Sequence, residues 1–124
     1  MREILFRGKW GRTWIYGDLQ HSSTKKDMYI DNYTSFPFQV PPETVGQFTG
    51  LTDKNGTGIF EGDIVTYDKE YGGETREKGV VYWCDGSFWV ENVRDEEDVS
   101  LLGVRANYQL EIIGNIHDNP ELIR

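Results

Sequence analysis

The chain contains 124 residues, of which 14% are aromatic, and its formal net charge is −8. Such a length predicts a single domain over residues 1–124 with an adequate core. The many aromatic residues and glycines favour short strands and tight turns over helices. The negative charge argues against nonspecific binding to nucleic-acid phosphates.

The cellular setting is limited by what the sequence lacks. Cys84 is the single cysteine, which excludes an internal disulfide and a multi-cysteine metal site. No apolar run approaches the roughly 18 residues of a membrane-spanning helix, and the N-terminus has no apolar signal-peptide core. We therefore expect a cytoplasmic protein that has no membrane partner.

Charge is distributed unevenly along the chain. Residues 1–26 carry a net charge of +4 and residues 27–124 a net charge of −12. In the simplest interpretation, a basic N-terminal strand lies beside acidic strands. The alternative is a basic face on an otherwise acidic protein, which could associate with nucleic acid.

The N-terminal third predicts two strands and a loop-rich segment. Residues 3–7 and 12–19 have the alternation of strands, and on the second strand Trp14 and Tyr16 face away from Ile15. Residues 20–42 form a loop-rich insert without clean periodicity. In this insert Pro37 restricts any strand to a sheet edge. One helical turn is expected at residues 41–44.

The central stretch, residues 45–67, reads as a strand, a turn, a short strand, a corner and a strand. Asp53 can accept backbone hydrogen bonds in the turn, and Asn55 and Gly56 tolerate left-handed backbone conformations. Gly50 predicts a bend, and Gly62 with Asp63 predicts the corner. The spacing fits neither a calcium-binding EF-hand loop nor a phosphate-binding loop.

The C-terminal half alternates charged loops with strands. Strands are expected at residues 79–83 and 87–91, joined by an Asp85-Gly86 turn, and again at 99–104 and 108–116. The charged segments 68–78 and 91–98 are expected to be loops. Pro120 begins a final single turn of helix. This order favours a mainly β fold, a strongly bent antiparallel sheet of five to seven strands forming a partial, SH3-like β-barrel with little helix.

Three segments resemble the YopX family of small phage and prophage proteins. Residues 47–65 (QFTGLTDKNGTGIFEGDIV) resemble its signature, residues 2–7 its opening strand, and residues 111–122 its ending, whereas residues 8–42 match poorly. The resemblance implies a mostly β fold, a phage or prophage setting in a bacterium, no established activity and no catalytic residues. The residues expected to form a structural signature are Gly50, Asp53, Asn55, Gly56, Gly62, Asp63, Gly114, Asn115, Asn119 and Pro120.

Candidate catalytic groups are few. Glu61, Asp63 and Asp85 lie at predicted strand corners, where acids usually cap turns. His21 and His117 are too few for a histidine metal site. Cys84 is expected to be a small buried hydrophobe in a strand. The sequence therefore predicts a protein that is not an enzyme and uses no cofactor or metal, with a hydrolase based on the corner acids as the weakest alternative.

The large aromatic side chains indicate a binding role instead. Trp89 is opposite in phase to Phe88 and Val90, so we expect it to be the exposed aromatic on its strand. The candidate binding residues are Trp89, Trp14, Tyr71, Asp95 and Glu96. The expected partner is another protein or a second copy of the chain. Two alternatives remain: nucleic-acid stacking on the basic N-terminal hairpin, and an acidic segment, residues 91–98, that mimics nucleic acid.

Overall fold

The computed structural model describes residues 3–34, 36–68, 76–94 and 97–123. They belong to two compact units, residues 1–50 and residues 51–124. Eleven strands are found in the described part of the chain, with one short α-helix, α1 (Ala106–Gln109), and two single turns of 3-10 helix, Pro42–Thr44 and Pro120–Ile123. The strands are β1 (Phe6–Trp10), β2 (Thr13–His21), β3 (Met28–Asp31), β4 (Phe38–Val40), β5 (Gly46–Thr52), β6 (Gly58–Phe60), β7 (Asp63–Asp68), β8 (Arg76–Cys84), β9 (Ser87–Asn92), β10 (Val99–Ser100) and β11 (Glu111–Asn115).

The first unit is built on an antiparallel sheet with the order β4-β3-β2-β1-β5. β5 continues into the second unit, where β6 pairs with it. Ile15, Ile30 and Val40 form the small core of the first unit. They share one face because side chains alternate along each strand, and the opposite face of β2 carries Trp14 and the exposed Tyr16.

Several predictions for the first unit are confirmed, but the segment predicted as a loop-rich insert, residues 20–42, also contains the end of β2, β3 and β4. The predicted second strand is β2, with the expected facing of Ile15 and Tyr16. Pro37 directly precedes β4, which is the edge strand, and a 3-10 turn occurs at Pro42–Thr44. The first strand differs, because β1 begins at Phe6, not at residue 3.

The second unit contains an antiparallel sheet with the order β10-β9-β8-β7-β11. Its core collects side chains from β6, β7, β8 and β9 together with residues of α1 and the segments that flank it. The core residues are Ile59, Val65, Tyr67, Val81, Val90, Leu101, Val104, Ala106 and Leu110. β11 pairs with β7 through a register shift between Ile112 and Gly114, a bulge that leaves Ile113 between them.

The predicted strand at residues 99–104 is mostly wrong. Only Val99–Ser100 forms a strand, after which the Val104 N–H donates to the Ser100 carbonyl at 3.1 Å and closes a turn. The predicted strand at 108–116 likewise begins only at Glu111, because α1 occupies the residues before it. The turn and the helix place Leu101, Val104 and Leu110 in the core. An extended strand could not bury all three side chains, because its side chains point alternately to opposite faces.

The fold class is therefore confirmed: the protein is mainly β, its sheets are antiparallel and its helix content is small. The described strands lie in two sheets and exceed the five to seven expected in one. The expectation of a single domain over residues 1–124, and that of an SH3-like arrangement, stay predictions.

Candidate functional site

The turn after β5 is organised by the carboxylate of Asp53, which is 3% exposed. Its Oδ1 accepts hydrogen bonds from the backbone N–H groups of Asn55 (2.9 Å) and Thr57 (3.0 Å). Its Oδ2 accepts one from the N–H of Ile112 on β11 (3.1 Å). The left-handed residue of the turn is Gly56, with φ of 83°, and not Asn55. Asp53 therefore shapes its own turn and ties that turn to β11.

The corner between β6 and β7 uses its acid in the same way. Asp63 is buried, and its Oδ2 accepts a hydrogen bond from the Phe60 N–H at 2.8 Å. Gly62 has φ of 89°, a conformation that favours glycine. The Gly62 N–H donates to the Val81 carbonyl and its carbonyl accepts from the Ile116 N–H, both at 2.9 Å. The corner thus joins β8 to the end of β11.

Asparagines close the C-terminal end. Oδ1 of Asn115 accepts hydrogen bonds from the N–H groups of His117 (3.0 Å) and Asp118 (2.9 Å). Oδ1 of Asn119 accepts from the Asn115 N–H at 3.2 Å. A Cβ at Gly114 would lie 2.4 Å from that Asn119 oxygen, so any other residue there would displace the Asn119 side chain. Pro120 begins the final 3-10 turn.

These contacts give the signature residues a structural role, because they form turns and tie those turns to neighbouring strands. The two buried carboxylates, Asp53 and Asp63, face backbone donors. Among the described residues, no group of three or more histidine, cysteine or acidic side chains could hold a metal ion. No helix in the described part of the chain is long and apolar enough to cross a membrane.

Cys84 is the first side chain whose surroundings differ from the sequence prediction. It was expected to be buried, which is wrong: it is exposed at the end of β8, next to the Asp85-Gly86 turn. The charge of Asp85 is the main reason that the pKa of the Cys84 thiol is raised above its usual value. A thiol held protonated in this way is a poor nucleophile at neutral pH.

Trp89 is the second such side chain. The prediction that it is the exposed tryptophan is wrong, because its indole lies half-buried along the hairpin and its Nε1–H donates to the Cys84 carbonyl at 3.2 Å. Trp10 and Trp83 are the more exposed tryptophans, at 53% and 51%. A contribution of Trp89 to binding stays a prediction. Three other candidate binding residues, Tyr71, Asp95 and Glu96, lie outside the described residues.

The turn end of the β8–β9 hairpin carries an aromatic pair. Trp83 and Phe88 are direct cross-strand partners, and their rings meet edge to face with centroids 4.8 Å apart. They share a face with the buried Val81 and Val90. Phe88 packs against the core that contains those two residues, whereas Trp83 is 51% exposed. Alternation alone could not distinguish the buried Val81 from the exposed Trp83, which is why sequence reasoning missed this position.

The other face of the hairpin carries Tyr82 and its cross-strand partner Trp89. The hydroxyl of Tyr82 donates a short hydrogen bond to Oδ2 of Asp98. That bond, aided by partial burial and by the charge of Asp98, raises the pKa of Tyr82 to about 12. The hairpin therefore presents an aromatic group on one face and, on the other, a tyrosine held neutral beside a carboxylate.

Trp14, the remaining candidate binding residue, lies beneath two cations. The guanidinium carbon of Arg7 lies 4.6 Å and Nζ of Lys9 5.5 Å from the centre of the Trp14 ring. Arg7 itself is only 6% exposed. The cations therefore occupy ring surface on which a nucleic-acid base would have to stack.

A surface groove of about 420 Å³ lies in the first unit, at the edge of its sheet. It is lined by Trp10, Asp27, Gln39, Val40, Pro41 and Pro42. The Trp10 ring meets Phe38 edge to face at 5.1 Å, which fixes its orientation. These residues come from the end of β1, a turn, and the end of β4, so no local sequence pattern joins them.

Taken together, the two sheets and the turn-forming acids and amides define a small antiparallel β protein whose distinctive residues serve its backbone. The model of the YopX protein family matches residues 6–124, nearly the whole chain, and the chain belongs to that family. The predicted resemblance is thereby confirmed. The crystal structure of protein EF1440 from Enterococcus faecalis is also similar: it is 28% identical, the match covers 100% of both chains, and the TM-score is 0.56. No curated protein matches the chain.

Proposed function

We propose that this YopX-family chain is a noncatalytic phage or prophage accessory protein that works in the bacterial cytoplasm by binding another protein or a second copy of itself. The observation that carries the proposal is the exposed Trp83, presented on Phe88 at the end of a rigid hairpin. Tryptophan anchors of this kind dominate the energetics of protein interfaces. The exposed half of the indole, on the order of 100 Å², contributes roughly 2–3 kcal/mol when a partner covers it.

Charge indicates the chemistry of the partner surface. Residues 1–50 carry six basic and five acidic groups, a net of +1, whereas residues 51–124 carry seven and sixteen, a net of −9. Asp85 is exposed at the hairpin turn, two residues from Trp83. A partner with an apolar pocket and a basic rim complements this surface, and long-range attraction speeds its association at low salt.

The noncatalytic part of the proposal is supported by the engagement of the two buried acids, Asp63 at the corner and Asp53 in the turn. Asp53 and Asp63 accept backbone hydrogen bonds, and a general acid or base needs a proton-accepting atom within reach of a substrate. The exposed thiol of Cys84 has a raised pKa, which is the opposite of what a nucleophile needs.

Affinity capture with matched variants tests the proposal. The wild-type chain, Trp83→Ala and Tyr108→Ala are immobilised and exposed to host lysate at two salt concentrations. Tyr108 is an exposed aromatic of the same unit, 71% accessible, and belongs to α1 and not to the hairpin. We expect a bound protein that Trp83→Ala loses by about 30-fold or more, that Tyr108→Ala retains, and that binds less at high salt.

Self-association is tested with the same variants by light scattering across a concentration series. A dimer that depends on Trp83 identifies a second copy as the partner. If Trp83→Ala and wild type recover the same proteins in the same amounts and have the same mass at every concentration, the hairpin is not the contact surface and the proposal fails.

Nucleic-acid association receives less support from the structure. The two cations against Trp14 occupy the ring surface that the stacking hypothesis required. A gel shift at two salt concentrations separates the two classes, because phosphate contacts weaken steeply as salt rises.

A further inference from the structure

We propose that the groove beside β4 is a second binding site, and that it takes a proline-rich peptide segment with an adjacent lysine or arginine. The site lies wholly in the first unit, so it does not depend on the function proposed for the hairpin. Its volume of about 420 Å³ falls within the range of roughly 300–1,000 Å³ typical of ligand pockets.

The walls of the groove match the rings of a proline-rich segment. Its apolar lining consists of the flat Trp10 indole, about half exposed, together with Val40, Pro41 and Pro42. Proline-rich segments dock into grooves lined by aromatic rings, and their extended helix is already formed before binding, which lowers the entropic cost. The contact between Trp10 and Phe38 holds the indole in place in advance.

The polar side-chain groups of the groove are not engaged by other described residues. Among the described residues, none hydrogen-bonds or pairs with the indole N–H of Trp10, the amide of Gln39 or the carboxylate of Asp27. Carbonyls of an extended peptide are the acceptors that the indole and amide N–H groups would meet, since such a peptide has no internal hydrogen bonds. The groove therefore offers hydrogen-bond donors for the carbonyls of a peptide backbone and a carboxylate for a lysine or arginine side chain.

Asp27 is held in position by its turn. Ser22 N–H donates to the Asp27 carbonyl at 2.9 Å, and Asp27 N–H donates to Ser22 Oγ at 3.2 Å. Lys25 and Lys26 precede Asp27 but do not line the groove, where Asp27 is the only charged residue. Charge complementarity thus selects a basic side chain next to the prolines.

Strand addition is a poor alternative at this edge. β4 has only three residues, with Pro37 before it and Pro41 directly after it. Proline lacks the N–H that a pairing strand needs, so the edge offers too short a ladder for another chain. Recognition at this site must proceed through side chains and rings.

The test is an NMR titration of the full chain with an acetylated peptide of six prolines followed by two arginines. The chain has four tryptophans and therefore four indole N–H groups, and Trp10→Phe identifies the Trp10 signal by its loss. We expect that signal to shift and saturate while the Trp83 signal stays in place. Asp27→Asn should weaken binding about two- to fivefold, as expected for an exposed ion pair. Asp18→Asn, which removes an exposed acid outside the groove, should leave it unchanged.

Two reference peptides complete the test. One has glycines in place of the prolines, and one has glutamates in place of the arginines; both should bind more weakly than the parent peptide. An unmoved Trp10 signal at millimolar peptide overturns the proposal. So does equal binding of the glycine peptide, which would indicate a site for cations alone, or equal binding of the glutamate peptide, which would remove Asp27 from recognition.

Discussion

Replacing Asp53 should destabilise the chain more than any exposed substitution, because one carboxylate serves three backbone donors. The Ile112 N–H lies in a partly buried position, and losing a bond to a charged group costs roughly 1.5–3 kcal/mol. The N–H groups of Asn55 and Thr57 belong to exposed residues, where water replaces part of the loss, so each contributes about 0.5–1 kcal/mol. Asp53→Ala should therefore lower the free energy of unfolding by about 2.5–5 kcal/mol.

A second variant separates the turn from its attachment to β11. Asp53→Asn keeps one oxygen for the turn but places an amide N–H₂ against the Ile112 N–H, donor against donor. We expect a loss of about 1.5–3 kcal/mol, most of it from the β11 contact. The free energy of unfolding of both variants is measured by urea denaturation, and we expect the slope against urea concentration to stay unchanged. Glu91→Ala, on the exposed face of β9, is the control and should change that free energy by no more than about 0.5 kcal/mol. A loss under 1 kcal/mol for Asp53→Ala would refute the assignment of Asp53 as the tie between turn and strand.

Three further predictions concern β8 and its flanking turn. Gly79→Ala should cost about 1–3 kcal/mol in urea denaturation, because its Cβ would lie 2.5 Å from a carbonyl oxygen of β9. The raised pKa of Tyr82, about 12, makes a contribution to stability that is complete below the unfolded value near 10 and lost as pH rises from about 10 to 12. Asp98→Asn should bring the Tyr82 titration, followed by phenolate absorbance, back towards 10. Asp85→Asn should speed the reaction of Cys84 with a disulfide reagent at pH 8, because the carboxylate raises the pKa of that thiol.

Controls for these predictions are available in the same unit. Gly103→Ala meets nothing closer than 3.4 Å and should be near neutral; if it costs as much as Gly79→Ala, close approach is not the cause. If Asp98→Asn leaves the pKa of Tyr82 unchanged, the hydrogen-bond assignment is contradicted. An unchanged rate for Asp85→Asn would show that the Cys84 thiol does not sense that charge.

Local turn chemistry made much of the fold predictable. The Asp85-Gly86 pair joins β8 to β9 as expected, with both residues at positive φ. Gly50 and Gly56 also have positive φ at their predicted bend and turn. Turns of this kind are specified by a few neighbouring residues whose allowed backbone angles are narrow, so their positions can be read without knowing the rest of the fold.

Exposure was harder to predict than secondary structure. Val81 and Trp83 have the same phase in β8, yet one is 1% and the other 51% exposed. Which part of a strand the core covers depends on how far the packed elements extend, and periodicity carries no information about that. The same limit explains Cys84, which lies at the strand end where the covering elements stop.

The candidate sites could be predicted even less well. The groove combines Trp10, Asp27 and the segment from Gln39 to Pro42, which pairing among β1, β2, β3 and β4 brings together. Sequence reasoning selected Trp89 by its phase, but the hydrogen bond from its indole to Cys84 draws the ring along the hairpin. Such long-range placement is decided by tertiary packing, which overrides local preference.

The bulge in β11 has a consequence for how copies of this chain can meet. β11 is the last strand of its sheet, its register breaks at Ile113, and the Ile112 N–H is already taken by Asp53. An irregular edge strand of this kind offers an incoming chain no continuous row of backbone N–H and C=O groups with which to pair. Strand addition at the β11 edge is thereby disfavoured, so a second copy that meets this edge must be held there by side chains.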